Sequence, residues 1–224
     1  MAQRIIHYLI GEKLLDRIPH ALREGGFDAR FCMGNLLPDA YDWDGPDLPP
    51  RRLTHFVFTD ESGDRYSDFG RFLSRYRERI PKDGLYLGYY LHLIEDACFR
   101  VFWHSQDLDA RLKTKEDVSF LHRDYHILNK YLIEKYALEN RLEPIEGFEN
   151  EALNEIHPFR AGEMLDELAA DFLDRTAGEP RWFTPRLADE FLAFALPICT
   201  DALERLLSGA EPLDPHSLHW RPTA

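Results

Sequence analysis

The chain has 224 residues, of which 44% are hydrophobic and 30% charged, enough to bury a sizeable core and too apolar for a disordered segment. Its 27 basic and 40 acidic residues leave a net charge of −13, which disfavours nucleic acid and anionic membrane surfaces as partners. No apolar run reaches bilayer length, and Cys32, Cys98 and Cys199, odd in number and without a CxxC pair, argue against a disulfide framework or zinc ribbon and for a cytoplasmic location.

In chain order, residues 3–24 predict a first helix, with Ile6, Leu9, Ile10, Leu14 and Ile18 at helical spacing and Gly25-Gly26 as its end. Pro19 should kink or split it. Glu12 and Lys13 interrupt its apolar start, so it reads as part of the mature chain and not as a signal peptide. Residues 31–52, FCMGNLLPDAYDWDGPDLPPRR, lack periodicity and read as a loop, and HFVFT at 55–59 is the one strand-like fragment. A second helix is expected over 67–79, stopped by Pro81, and a third over 84–105. A fourth starts at Lys115 with Leu121, Leu128, Leu132 and Tyr136 on one face. Two more cover 159–177 and 185–208, the latter bent at Pro197. The expected fold is all-α, one metal-binding domain over residues 1–210 followed by a tail, 211–224.

The third helix holds the feature that asks for a chemical explanation. At 3.6 residues per turn, Leu85, Tyr89, His92, Asp96, Phe99 and Trp103 share one face. His92 and Asp96 are therefore stacked neighbours inside an apolar stripe, where an imidazole and a carboxylate one turn apart can share a divalent cation. Glu95, one residue off the stripe, is expected not to ligate. Gly88 removes a side chain one turn before His92, where a ligand or another backbone can approach. An isolated HxxxD pair is most often a hydrogen-bonded core pair, but a buried carboxylate is costly without a partner. Candidate partners are His7 in the first helix, Asp39 after Pro38, His55 before the strand-like fragment, and Asp124, which shares the inward stripe of Leu121, Leu128 and Leu132 while His122 and His126 lie at its margins. Singly, each has an ordinary role as a cap, a core histidine or a surface charge.

The order His7 in HYLIGE, Asp39 in MGNLLPDAYD, His55 in THF, then His92 and Asp96 in LGYYLHLIEDACF resembles the zinc-dependent phospholipase C family. It is closer to the small cytoplasmic bacterial hydrolases of that group, whose substrates are poorly defined. The resemblance covers roughly residues 1–140. It implies a helical fold converging on zinc, with a metal-bound hydroxide attacking a phosphoester. Its ligand motifs fall on His7, Asp39, His55, His92 and Asp96, with Asp124 similar to a further inward Asp and Asp39 placed to bridge ions or act as general base. The chain departs from the secreted members in lacking their N-terminal Trp and a later HxxxE pair, for which His122 and His126 are a loose substitute. One or two ions are therefore expected, not three, and the mixed His and Asp set suits zinc, manganese or iron.

The expected function is thus a metal-dependent hydrolase of a small-molecule phosphoester, with no nucleic-acid or stable membrane partner. An HD-type phosphohydrolase is weakened because no His-Asp dipeptide occurs in the chain, and a di-iron carboxylate bundle because no helix carries ExxH. The alternative from another class is a non-catalytic helical interaction protein with a structural metal or a polar His/Asp network.

Overall fold

The first helix, α1 (Arg4–Leu15), buries Ile5, Ile6, Leu9, Ile10 and Leu14 and stops earlier than its apolar periodicity suggests. Pro19 splits the segment: it precedes a separate 3-10 turn, His20–Leu22, because proline has no N–H to continue the ladder. The computed structural model describes residues 3–40, 51–156 and 159–220, and these are mostly helical.

One expectation is corrected. Residues 27–36 form a helix, α2 (Phe27–Leu36), where the sequence read as loop from residue 31. Gly25 and Gly26, at φ 64° and 81°, turn the chain into it. Its run of Phe31, Cys32, Met33, Gly34, Asn35 and Leu36 is buried throughout, so no polar face exists to reveal a helical period.

After a 3-10 turn, Leu37–Asp39, and the short α3 (Arg51–Thr54), a two-stranded antiparallel hairpin pairs β1 (Val57–Thr59) with β2 (Arg65–Ser67), Phe58 opposite Tyr66. The strand-like fragment thus finds a partner. Next come α4 (Phe69–Arg75), capped by the Asp68 carboxylate on Arg71 N, and α5 (Gly84–Ser105), capped by Asp83 on Leu85 N. Every residue of α5 from Gly84 to Phe99 is buried, making it the central helix.

The packing of α2 on α5 is backbone against backbone. A Cβ at Gly34 would lie 1.9 Å from Leu85 O, one at Gly84 2.3 Å from Phe27 O, and one at Gly88 2.1 Å from Phe31 O. The clearance read at Gly88 is therefore filled by another helix. Arg30 locks the pair from outside, with Nε and Nη2 on the two Asp83 oxygens at 2.7 and 2.6 Å and Nη2 also 2.6 Å from Glu151.

The remaining helices wrap this pair. α6 (Lys115–Tyr136) starts with a Thr114/Asp117 capping box and stops at Ala137, at φ 51°. It is followed by α7 (Ala152–Ile156), α8 (Ala161–Leu173) and α9 (Pro185–Ser208), which carries Pro197 internally. α9 packs on α5 through Phe191 against Phe99, ring centroids 5.2 Å apart. Beyond α9, Trp220 exchanges backbone hydrogen bonds with Arg65 on the hairpin. The start of α1 is fastened to α6 and α8, where Gln3 donates to Tyr125 O and Asn129, and Arg4 pairs with Asp171 and Glu167. Among the described residues no helix is long and apolar enough to cross a membrane.

Candidate metal centre

Five of the six residues singled out in the sequence converge at one end of the α2–α5 contact. His7 comes from the second turn of α1 and Asp39 from the 3-10 turn that ends α2; His55 directly follows α3, and His92 and Asp96 sit one turn apart on α5. Several hydrogen bonds hold the His55 segment, and Thr54 Oγ1 lies 2.8 Å from His55 Nδ1. Tyr89 Oη on α5 donates to Thr54 O at 2.7 Å, Ser67 Oγ on β2 donates to His55 O at 2.7 Å, and Asp68 N donates to Phe56 O at 2.8 Å. Phe56 lies at φ 51°, and this turn re-aims the chain from α3 into the hairpin.

The facing nitrogen and oxygen atoms stand at ligand-to-ligand spacing. His55 Nε2 is 3.4 Å from His92 Nε2, 3.1 Å from Asp39 Oδ1 and 3.7 Å from Asp96 Oδ2. His7 Nε2 is 3.6 Å from Asp96 Oδ1 and 4.0 Å from Asp39 Oδ2. Tetrahedral bonds of about 2.1 Å put neighbouring ligand atoms roughly 3.4 Å apart, inside this range. Two groups share ligand atoms close enough for one ion, His7 with Asp39 and His92, and His55 with His92 and Asp96. His92 belongs to both, yet its Nε2 has a single lone pair, so two ions would have to be joined through carboxylates.

Hydrogen bonds fix which nitrogen each ring presents. His92 Nδ1 is 2.8 Å from Asn35 O, a carbonyl that can only accept, so the proton is on Nδ1 and Nε2 faces the cluster. His7 Nδ1 likewise donates to Glu95 Oε2 at 2.7 Å. His7 Nε2 is fully buried and has no hydrogen-bond partner among the described residues. A proton there would reach neither carboxylate, since 3.6 and 4.0 Å are too long for a hydrogen bond. A buried ring nitrogen without a hydrogen-bond partner, facing two carboxylates, is an environment that a divalent cation can complete.

The electrostatics agree. Burial, and then the neighbouring His7 and His55 rings, hold His92 well below the usual imidazole range, so it is neutral and able to ligate. Burial also opposes protonation of His7, but the Asp96 and Glu95 carboxylates outweigh it and raise its pKa. Burial opposes ionisation of Asp96 too, yet the His7 and His55 imidazoles beside it hold it well below the carboxylate range. The His7 side chain is inaccessible, whereas those of Asp39 and Asp96 are 15% and 10% exposed. Solvent therefore reaches the cluster from its carboxylate side.

Asp124 does not join them. It is buried on α6 as its stripe predicts, but its oxygens accept from Arg181 N (2.8 Å), Trp182 N (2.5 Å) and Phe183 N (2.9 Å), in the loop leading into α9. His126 is exposed and bonded to Asp174 at 2.6 Å, and exposed His122 lies against the Tyr125 ring. Two participants escaped the sequence reading. Glu95 belongs to neither ligand group among the described residues, and it is fully buried against His7. Asn35 bonds both His92 and Glu95. The available signal was that α5 has no polar face at all through this stretch, so a residue off the stripe still points into protein.

Comparison of the chain with protein-family models, with curated proteins and with solved structures finds no match.

Proposed function

We propose that the protein is a metal-dependent hydrolase of a small phosphoester, with a fold of the zinc-dependent phospholipase C kind. The observation that carries the reading is the convergence of His7, Asp39, His55, His92 and Asp96, with His7 Nε2 buried and without a hydrogen-bond partner among the described residues. His7, His55 and His92 would supply neutral nitrogen ligands, and Asp39 and Asp96 would supply charge and the capacity to bridge two ions. One or two zinc ions, or manganese or iron, suit this donor set. A divalent cation held there supplies Lewis acidity towards a phosphoryl oxygen and lowers the pKa of water. The chain's own part is to fix the ligands on buried helices, to keep water from the imidazole side, and to leave the Asp39 and Asp96 side open, where Asp39 can accept a proton. That open side favours catalysis over a structural ion closed off by four protein ligands. The net charge of −13 favours a small soluble substrate over a polyanion or an anionic bilayer.

The test is elemental analysis of the purified protein, followed by phosphomonoester and phosphodiester panels with and without chelator, and with zinc, manganese or iron added back. Bound metal and chelator-sensitive cleavage are expected. Protein that takes up none of the three metals refutes the metal centre. Metal uptake with no cleavage across the panels leaves the structural-metal reading in its place.

A further inference from the structure

A glutamate fully buried beside two candidate ligands needs its own account, because an ionised carboxylate removed from water is costly unless each oxygen is paired. Glu95 meets that condition with two bonds of equal length. Oε2 accepts from His7 Nδ1 at 2.7 Å, and Oε1 accepts from Asn35 Nδ2 at 2.7 Å. Asn35 in turn uses its backbone carbonyl to accept from His92 Nδ1 at 2.8 Å. The four residues form one unbroken chain, His92–Asn35–Glu95–His7, running behind both imidazoles on the side away from the carboxylate mouth.

The backbone is shaped to admit this chain. A Cβ on Gly11 of α1 would lie 2.8 Å from Asn35 Oδ1, and one on Gly88 of α5 would lie 2.7 Å from Asn35 N. Glycines on two different helices therefore open the slot that Asn35 occupies at the meeting of α1, α2 and α5. With their Nδ1 protons engaged, the His7 and His92 rings stack at 4.1 Å with planes 21° apart. Neither ring can turn its Nε2 away without breaking a buried hydrogen bond.

We propose that Asn35 and Glu95 are the positioning residues of the centre, a single unit that sets the tautomer and orientation of His7 and His92 as Nε2 ligands. The inference rests on the metal-centre reading above. A carboxylate or carbonyl behind a ligating imidazole fixes its ring and raises its basicity, and losing such a partner weakens metal binding about 10–100-fold. Glu95 holds His7 through its carboxylate, and Asn35 holds Glu95 through its side-chain amide.

The experiment uses the full-length protein, stripped of metal, titrated with Co(II) and followed by its visible absorption. Wild type is compared with Glu95→Gln, Asn35→Asp and the double variant. Glu95→Gln replaces the carboxylate behind His7 by a neutral amide, and should weaken Co(II) binding about 10–100-fold and shift the bands while far-UV circular dichroism stays unchanged. The double variant exchanges donor and acceptor across the contact: the new amide donates to the new carboxylate, and its oxygen still accepts from His7. It should recover most of the affinity and the wild-type bands. If Glu95→Gln binds Co(II) as wild type does, with the same spectrum, the positioning role is wrong even though the metal centre stands. If it only lowers the melting temperature of metal-free protein, leaving affinity and bands unchanged, Glu95 is a structural residue alone. Should the single variants fail to fold, ring-nitrogen NMR of zinc-loaded wild type decides: His7 and His92 must carry their protons on Nδ1, and a proton on Nε2 of either overturns the proposal. Wild type that binds neither Co(II) nor zinc overturns the metal centre itself, and this inference with it.

Discussion

His92 Nε2 faces His55 Nε2 at 3.4 Å, and the His92 proton is held on the far side of its ring by Asn35 O. The two buried rings can share one proton or one cation between them. Truncating either removes a ligand atom from the centre and leaves its partners around a void. His92→Ala should cut metal affinity by more than about 100-fold, beyond what loss of a supporting hydrogen bond produces. It also strands the Asn35 carbonyl, for a further stability cost of about 1–3 kcal/mol in metal-free protein. Isothermal titration with zinc, paired with chemical denaturation of the metal-free variant, separates the two effects. Unchanged zinc affinity in His92→Ala would refute its place in the centre.

Asp124 provides the opposite signature. Its carboxylate gathers the backbone N–H groups of Arg181, Trp182 and Phe183, so Asp124→Ala leaves three donors without their charged acceptor. The expected loss is about 2–4 kcal/mol. In a chain of this size that lowers the melting temperature by roughly 5–15 °C. Metal content of the folded variant should equal that of wild type, and a loss of metal at preserved stability would place Asp124 among the ligands instead.

Gly88 tests the helix contact that carries the centre. A methyl group there meets Phe31 O at 2.1 Å, and that atom belongs to a backbone which cannot rotate aside. Gly88→Ala should cost about 3 kcal/mol or more, beyond the few tenths to 1 kcal/mol that alanine gains in helix propensity. Because Asn35 rides on α2, the variant should also lose metal affinity. A fully folded Gly88→Ala protein with a wild-type melting curve would show that the two helices are farther apart than described.

Acid stability depends in part on Asp189, which ties α9 to α6. It accepts from Lys135 Nζ at 2.7 Å, Tyr131 Oη at 2.6 Å and Tyr136 Oη at 3.1 Å. Burial opposes its ionisation, but Lys135 and the two hydroxyls prevail and hold its carboxyl below the usual range. With the folded value depressed, the contribution is fully present above the ordinary aspartate pKa of about 3.9 and is lost as pH falls through the lower folded value. Asp189→Asn should therefore be less stable than wild type by under about 1 kcal/mol at neutral pH, the side chain being partly screened by water. That deficit should close below about pH 4. Urea midpoints measured across this range for both proteins check it, and a deficit that grows on acidification would reverse the sign.

What the sequence disclosed depended on contrast. His92 and Asp96 were legible because two polar side chains stood in an apolar stripe, and α6 and α9 because each has a wet face to set its period. α2 is illegible for the converse reason: buried without a break from Phe31 to Leu36, with glycine and asparagine where a stripe would show leucine, that run offers no contrast to read. Asp124 was placed on the correct face, but an inward carboxylate looks the same in sequence whether it will meet a cation or a row of backbone N–H groups. Only the path of residues 181–183 decides between them. Glu95 lies off a stripe that a helix buried on every side does not have, and Asn35 meets His92 through its main chain, which no side-chain pattern reveals.

The division of the centre into a dry imidazole side and a wet carboxylate side has a consequence for the sequence of binding events. In the proposed centre Asp39 and Asp96 line the approach, and with neutral imidazoles behind them they would present net negative charge to whatever arrives. An anionic ester reaching that mouth first would be turned away. Once a cation is seated, the same carboxylates are neutralised and the field at the mouth reverses. On the proposed reading, loading would precede recognition, and the acidic threshold that turns anions away from the metal-free protein would admit them once a cation is seated.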